Sequence, residues 1–308
     1  MPEIRRVAAI DCGTNSLRLL ISDVGPDRKD DVVREMRVVR LGQDVDRTGR
    51  FADEAVQRTL QVTREYGELI AMLDARTVRF CATSAARDAE NGDELLEGVR
   101  SVLGVDVEIL SGEDEAAASF LGATQDLADT ETLVVDIGGG STEIVTGRAR
   151  RVEWSTSLDI GSVRLSERFL HGDPPSVQEV SECIAHLDAV LAPSVSTVGE
   201  VSSMIGVAGT VTTVAAHVLD LPSYDSRAIH GARLAVDDVR QACLSLVRMS
   251  VADRRALPFM HPGRADVIGA GALILDRLLE AVSLGEPVVT VSEHDILDGI
   301  AWEAAERA

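Results

Sequence analysis

Lysine is almost missing from this sequence: of 30 basic residues only Lys29 is one, the rest being arginine, and 51 acidic residues leave a formal net charge of -21. A surface this acidic repels nucleic acid and anionic membrane at long range, so neither is an expected partner. An anionic substrate would need local arginine or a metal ion to overcome that field. There is no CxxC pair and no HExxH, and Cys12, Cys81, Cys183 and Cys243 stand far apart, which argues against a disulfide framework or a structural zinc. Only the short apolar run Val7 to Ile10 leads up to Asp11, too little for a signal-peptide core. The longest uncharged stretch, "VSSMIGVAGTVTTVAAHVL" from Val201, is full of Ser, Thr and Gly and reads as strand, turn and helix rather than a membrane span. These absences place the protein in the cytoplasm with reduced thiols. No low-complexity tract occurs, and 308 residues suffice for about two domains.

What the sequence does have is one device used twice. "LVVDIGGGSTEIV" (Leu133 to Val145) closes an apolar run on Asp136, follows it with Gly138, Gly139 and Gly140, and then sets Ser141, Thr142 and Glu143 before a second apolar run. In "VAAIDCGTNSLRLLISDV" (Val7 to Val24), Asp11, Gly13 and Ser16 fall where Asp136, Gly138 and Ser141 fall. Either loop alone is an ordinary hairpin turn. As a pair they read as a phosphate clamp, because glycine lets phosphate oxygens reach backbone NH groups and the hydroxyls of Thr14, Ser16, Ser141 and Thr142 add donors. Carboxylates repel phosphate, so Asp11, Asp136 and Glu143 imply a bridging magnesium ion.

Hydrophobic periodicity extends the repeat beyond the loops. Strands are expected near 7–11, 17–24, 33–41, 77–82 and 106–110, with a helix carrying Val56, Leu60, Tyr66, Ile70 and Leu73 on one arc and shorter helices near 91–103 and 112–122. The second half repeats the order, with strands near 133–136, 142–147, 151–157, 203–207 and 287–291 and a helix carrying Val177, Val180, Ile184, Leu187 and Leu191. Two similar α/β domains follow from this pattern.

Paired hairpins in two similar halves resemble the phosphate loops of the superfamily of actin, Hsp70-type chaperones and sugar kinases. The resemblance implies actin-like (ribonuclease H-like) domains with mixed five-stranded sheets and a cleft between them. Three further stretches, "CATSAARDAEN" from Cys81, "LSGEDEAAASF" from Leu110 and "GVAGTVTTV" from Gly206, narrow it to the Ppx/GppA family of exopolyphosphatases and guanosine pentaphosphate phosphohydrolases. Thr14 departs from the serine usual in the family, and Asp114 stands where Glu is common. The resemblance implies domains at 1–128 and 129–292, with a terminal helix of about 293–308 packing back on the first.

Locally, "SGEDEA" is a helix start with Ser111 as cap and acids complementing the dipole. The resemblance makes Glu115 the catalytic base, with Asp114 its rival. It also gives a substrate-binding set of Thr14, Asn15, Ser16, Arg87, Gly138, Gly139, Gly140, Ser141, Thr142, Gly209, Thr210 and Arg264, while His230 and His261 read as structural. The chain ends at Ala308 without the further domains of longer relatives, so short chains are the expected substrate. The implied function is a magnesium-dependent exopolyphosphatase. Rivals are the same chemistry on guanosine pentaphosphate, a sugar or acetate kinase, and a non-catalytic binder of polyphosphate or alarmone. Dimers are common in the family, so a homodimer is admitted.

Overall fold

In the computed structural model, which describes residues 4–25, 28–125 and 130–307, the chain divides into two units. One comprises Met1–Gly122 with Ile296–Ala308, the other Ala123–Asp295. The boundary expected between 128 and 129 lies outside the described residues.

The first unit opens with β1 (Arg5–Cys12), β2 (Ser16–Val24) and β3 (Lys29–Val38), joined antiparallel in chain order. Helices α1 (Val45–Thr48) and α2 (Asp53–Met72) cross over to β4 (Thr77–Ala82), parallel to β1. A parallel neighbour requires such a crossover. After α3 (Ser84–Asp88) and α4 (Gly92–Leu103), β5 (Val107–Ile109) completes the order β3-β2-β1-β4-β5, and α5 (Gly112–Ala123) follows. Central β1 is covered on both faces, which is why it reads as an unbroken apolar run. Ala8, Ile10 and Cys12 pack with Leu60, Tyr66 and Leu95, while Val7 and Ala9 pack with Ala118 of α5 and with Leu297 and Ile300 of the C-terminal helix (Ile296–Arg307). By alternation Asp11 shares the face that carries α5.

Strand β3 ends at Val38, not near 41 as the periodicity suggests. The amides of Val39 and Arg40 donate to the Asn15 carbonyl, and Arg40 turns left-handed at φ 51.

The C-terminal helix is tied down by charge and by one close contact. The lone lysine serves here: Lys29 Nζ lies 2.9 Å and Arg34 Nη2 2.5 Å from the fully buried Asp298 carboxylate. Gly299 sits on α5, where an added Cβ would meet the Ala118 carbonyl oxygen at 2.0 Å. That neighbour is backbone and cannot swing aside, so Gly299→Ala should cost at least about 1–3 kcal/mol. The check is a fall in melting temperature with no other change in the unit.

The second unit repeats the antiparallel start with β6 (Glu131–Ile137), β7 (Thr142–Arg148) and β8 (Arg151–Leu158). Helices α6 (Ser162–Phe169) and α7 (Val177–Val198), then β9 (Glu200–Val201), lead to β10 (Ser203–Val207), parallel to β6. There follow α8 (Ala208–Val218), α9 (Ser226–Ile229), β11 (Arg233–Ala235), α10 (Val236–Arg248), α11 (Val251–Ala256), α12 (Ile268–Ala281), β12 (Ser283–Leu284) and β13 (Val288–Val291). The order is β11-β13-β10-β6-β7-β8, so this sheet has six strands rather than the expected five. The extra strand, β11, pairs antiparallel with β13 over three residues, too short to show a period of its own. Leu133, Val135, Ile137 and Ile144 face the core of this unit, where residues of α7, α10 and α12 meet them. Among the described residues no helix is long and apolar enough to cross a membrane.

Candidate functional site

Both glycine loops fold as hairpins closed by the same bond, Gly13 N–H to Ser16 O and Gly138 N–H to Ser141 O, each 3.0 Å. The strands they join are in register: Asp11 lies opposite Arg18, and Asp136 lies opposite Glu143. Aligned loop on loop, Arg18 and Glu143 occupy the same place, so the two copies differ in sign where their acids face across the hairpin.

In the first unit, Arg18 Nε and Nη2 both donate to Asp11 Oδ2, at 2.8 and 2.6 Å. Thr14 is buried with its hydroxyl 3.0 Å from that of Ser84, and its neighbour Asn15 gives its carbonyl to the 39–40 turn. Ser16 begins β2. The stretch after β4 converges on the same place. Thr83 N–H donates to Cys12 O, and Arg87, in the last turn of α3, donates from Nη1 to Leu110 O at 2.8 Å and to Glu115 Oε2 at 2.7 Å.

Glu115 and Asp114 are separated by their positions on α5. The Asp114 amide donates to Ser111 Oγ, whose hydroxyl donates back to Asp114 Oδ2, so Asp114 is a cap residue and exposed. Glu115, one residue on, is 8% exposed. Burial pushes its carboxyl pKa up, the Arg87 guanidinium and Thr83 hydroxyl oppose that, and the Asp11 charge adds to it. The result is a carboxylate oriented by Arg87 and more basic than an ordinary glutamate.

In the second unit, Asp136 and Glu143 are both buried, and directly opposed residues have Cβ atoms only about 5 Å apart. Ser157, across β7–β8, donates to Glu143 Oε1 at 2.7 Å and fixes its direction. Two like charges so placed repel, and a cation suits them. Among the described residues no cluster of three or more His, Cys, Asp or Glu could hold a metal. Two protein carboxylates match a hard cation that keeps waters and takes further oxygens from a phosphate. Gly138, Gly139, Gly140 and Ser141 lie beside this pair, but the Thr142 hydroxyl is fully buried and donates to Ile160 O at 2.6 Å.

Gly209 and Thr210 begin α8 just past the strand that neighbours Asp136, where Val207 and Asp136 are in register. A Cβ on Gly209 would meet Arg264 Nη2 at 2.4 Å, so the missing side chain is the space the guanidinium fills. Arg264 Nη1 donates to Thr213 Oγ1 at 2.9 Å, whereas Thr210 is buried against Gly271 of α12. His261 Nδ1 accepts from Gly263 N–H two residues on, and His230 Nδ1 accepts from the distant Glu293 N–H, so both imidazoles are engaged by backbone amides.

Sequence reading passed over Arg18, Thr83, Ser84, Ser157, Gly161 and Arg164. Arg18 was legible from the alignment of the two loops, and Thr83 and Ser84 from their place beside Arg87. Ser157 reaches Glu143 from the next strand, and Gly161 and Arg164 reach the glycine loop from beyond β8, so none of the three carried a signal.

The model of the "Ppx/GppA phosphatase family" matches residues 20–307. "Exopolyphosphatase 2" of Mycobacterium tuberculosis is 48% identical, the match covering 98% of this chain and 99% of that protein. The crystal structure of an exopolyphosphatase-like protein superposes with a TM-score of 0.93 at 42% identity, covering 98% of this chain and 99% of that one. The Aquifex aeolicus member of the Ppx/GppA family superposes with a TM-score of 0.83 at 32% identity, covering 99% of both chains.

Proposed function

We propose that the protein, which belongs to the Ppx/GppA phosphatase family, is an exopolyphosphatase that releases orthophosphate from the end of inorganic polyphosphate. The observation that carries this reading is Glu115: a buried carboxylate of raised pKa, held by Arg87 and Thr83 at the start of α5. Such a group takes a proton from water as the water oxygen attacks the terminal phosphorus, and the bridging oxygen departs with the shortened chain. Asp114, spent on its own helix cap, is set aside as the base.

Phosphate oxygens are held by the amides of Gly139 and Gly140 and the hydroxyl of Ser141, and Ser16, Arg87 and Arg264 are further candidate anion ligands. Thr14, Thr142 and Thr210 have a different task, since their hydroxyls or side chains are buried against Ser84, Ile160 and Gly271. They fix the loops in place. Phosphatases of this family generally depend on a divalent cation, and Asp136 and Glu143 would hold it, magnesium being the ion their chemistry suits. A bound cation supplies charge neutralisation for the phosphate oxygens. Asp11, already carrying Arg18, supports Glu115 electrostatically instead. Four buried free cysteines accord with a cytoplasmic protein.

The test is phosphate release with magnesium on short polyphosphate, long polyphosphate, guanosine pentaphosphate and ATP. Release is expected from polyphosphate. Release from guanosine pentaphosphate alone would replace the substrate, and silence on all four would end the hydrolase reading.

A further inference from the structure

We propose that the segment Gly161 to Arg164 is a positioning device, one that turns the amides of Gly139, Gly140 and Ser141 toward the substrate phosphate. The inference rests on the phosphate-holding role given to that loop above.

Its basis is where the loop's carbonyls go. Ser162 N–H donates to Gly138 O at 2.9 Å, and Val163 and Arg164 N–H donate to Gly139 O at 2.8 and 3.2 Å. Arg164 Nε donates to Gly140 O at 2.8 Å. All three glycine carbonyls are therefore fastened to the start of α6. In a trans peptide C=O and N–H point in opposite directions. Fastening these carbonyls aims the N–H groups of Gly139, Gly140 and Ser141 away from α6. Among the described residues, neither the Gly139 nor the Gly140 amide donates to a backbone carbonyl. The first N–H groups of α6, which would otherwise attract an anion, are spent on the loop. This helix start is thus an anchor, and the anion is left to the loop.

Arg164 and Gly161 have separate parts in this. The Arg164 side chain is buried, and its charged donor polarises the Gly140–Ser141 peptide, which strengthens that peptide's N–H as a donor. At Gly161 a Cβ would meet Gly139 O at 2.3 Å, so only glycine lets the loop sit this low. The first unit uses the same plan with other parts. Thr14 and Asn15 align with Gly139 and Gly140, and their carbonyls accept from Gly42 N–H at 2.8 Å and from Val39 and Arg40 N–H at 3.0 and 2.9 Å. Gly42 is the matching seat, since a Cβ there would meet Thr14 Cγ2 at 2.3 Å. There the carbonyl contacts come from backbone amides; in the second unit one comes from a side chain, so one substitution can address it.

The experiment measures tripolyphosphate binding by calorimetry, with magnesium present, to the Glu115→Gln protein and to the same protein carrying Arg164→Lys. Lysine keeps the charge but not the planar Nε–H. The expected result is binding weaker by about tenfold to a hundredfold, the scale of one charge-assisted hydrogen bond. The melting shift produced by magnesium alone, which reports Asp136 and Glu143, should persist. Equal affinity in the two proteins overturns the proposal, and so does joint loss of tripolyphosphate binding and magnesium shift, which would mark general damage. Should the lysine variant not fold, Gly161→Ala decides: the same loss of affinity is expected, and unchanged affinity overturns it. A folded Glu115→Gln protein that binds no tripolyphosphate removes the underlying reading and this inference with it.

Discussion

Glu115→Gln will leave the protein folded and reduce its phosphate release by about 10²- to 10⁴-fold, the range for losing a general base. The carboxylate is buried and held by Arg87 at 2.7 Å, and a glutamine amide oxygen can accept the same bond, so packing survives while the proton acceptor is lost. Because burial raises the Glu115 pKa, the ionised form costs stability. That cost is absent below the unfolded value, about 4.3, and is complete once pH exceeds the raised folded value. Glutamine never incurs it. At neutral pH the variant should melt no lower than the parent, an unusual pairing of lost function with retained stability. The parent's kcat/KM should also rise with pH through the raised pKa. Phosphate release and melting curves across that range check both statements. Undiminished turnover in the variant would remove Glu115 as the base, and a collapse in melting temperature would make it a structural residue.

Asp136→Asn or Glu143→Gln should end magnesium-dependent phosphate release while raising the melting temperature in chelator. The two buried carboxylates oppose each other across β6 and β7, where directly opposed residues have Cβ atoms about 5 Å apart, so their charges repel. Ser157 offsets part of that repulsion through its bond to Glu143. Removing one charge relieves repulsion within the pair, so the melting temperature in chelator should rise. Magnesium should raise the parent's melting temperature by mass action and leave that of either variant unmoved. Melting with chelator and with magnesium, beside phosphate release, measures this. Full activity in the Asp136→Asn protein would show that the pair does not hold the ion.

How far the sequence reaches differs between elements. The arc of Val56, Leu60, Tyr66 and Ile70 and the apolar runs of β1 and β6 mark their elements plainly, because burial imposes a period on neighbouring residues. The three-residue β11 has no room for a period, and the sixth strand exists only because β13 offers it an edge. Residues 39–41 look like strand, but the demand of the Asn15 carbonyl for donors turns them aside. Within the site, the duplicated Asp-x-Gly-x-x-Ser spacing marks the loops and the acids that flank them. It could not show that Thr142 faces Ile160, that Asp114 caps its helix while Glu115 is buried, or that Arg164 reaches Gly140.

Two α/β halves, two glycine loops with their carboxylates, and a strongly acidic composition served by arginine can all be read along the chain. Each of these is a local pattern, set by spacing along the chain. Which hydroxyls are committed to backbone, which carboxylate is desolvated beside an arginine, and which acids face each other across a hairpin followed only from the folded chain. Those outcomes depend on residues far apart in sequence meeting at a few ångströms, where hydrogen-bond direction and burial set the chemistry.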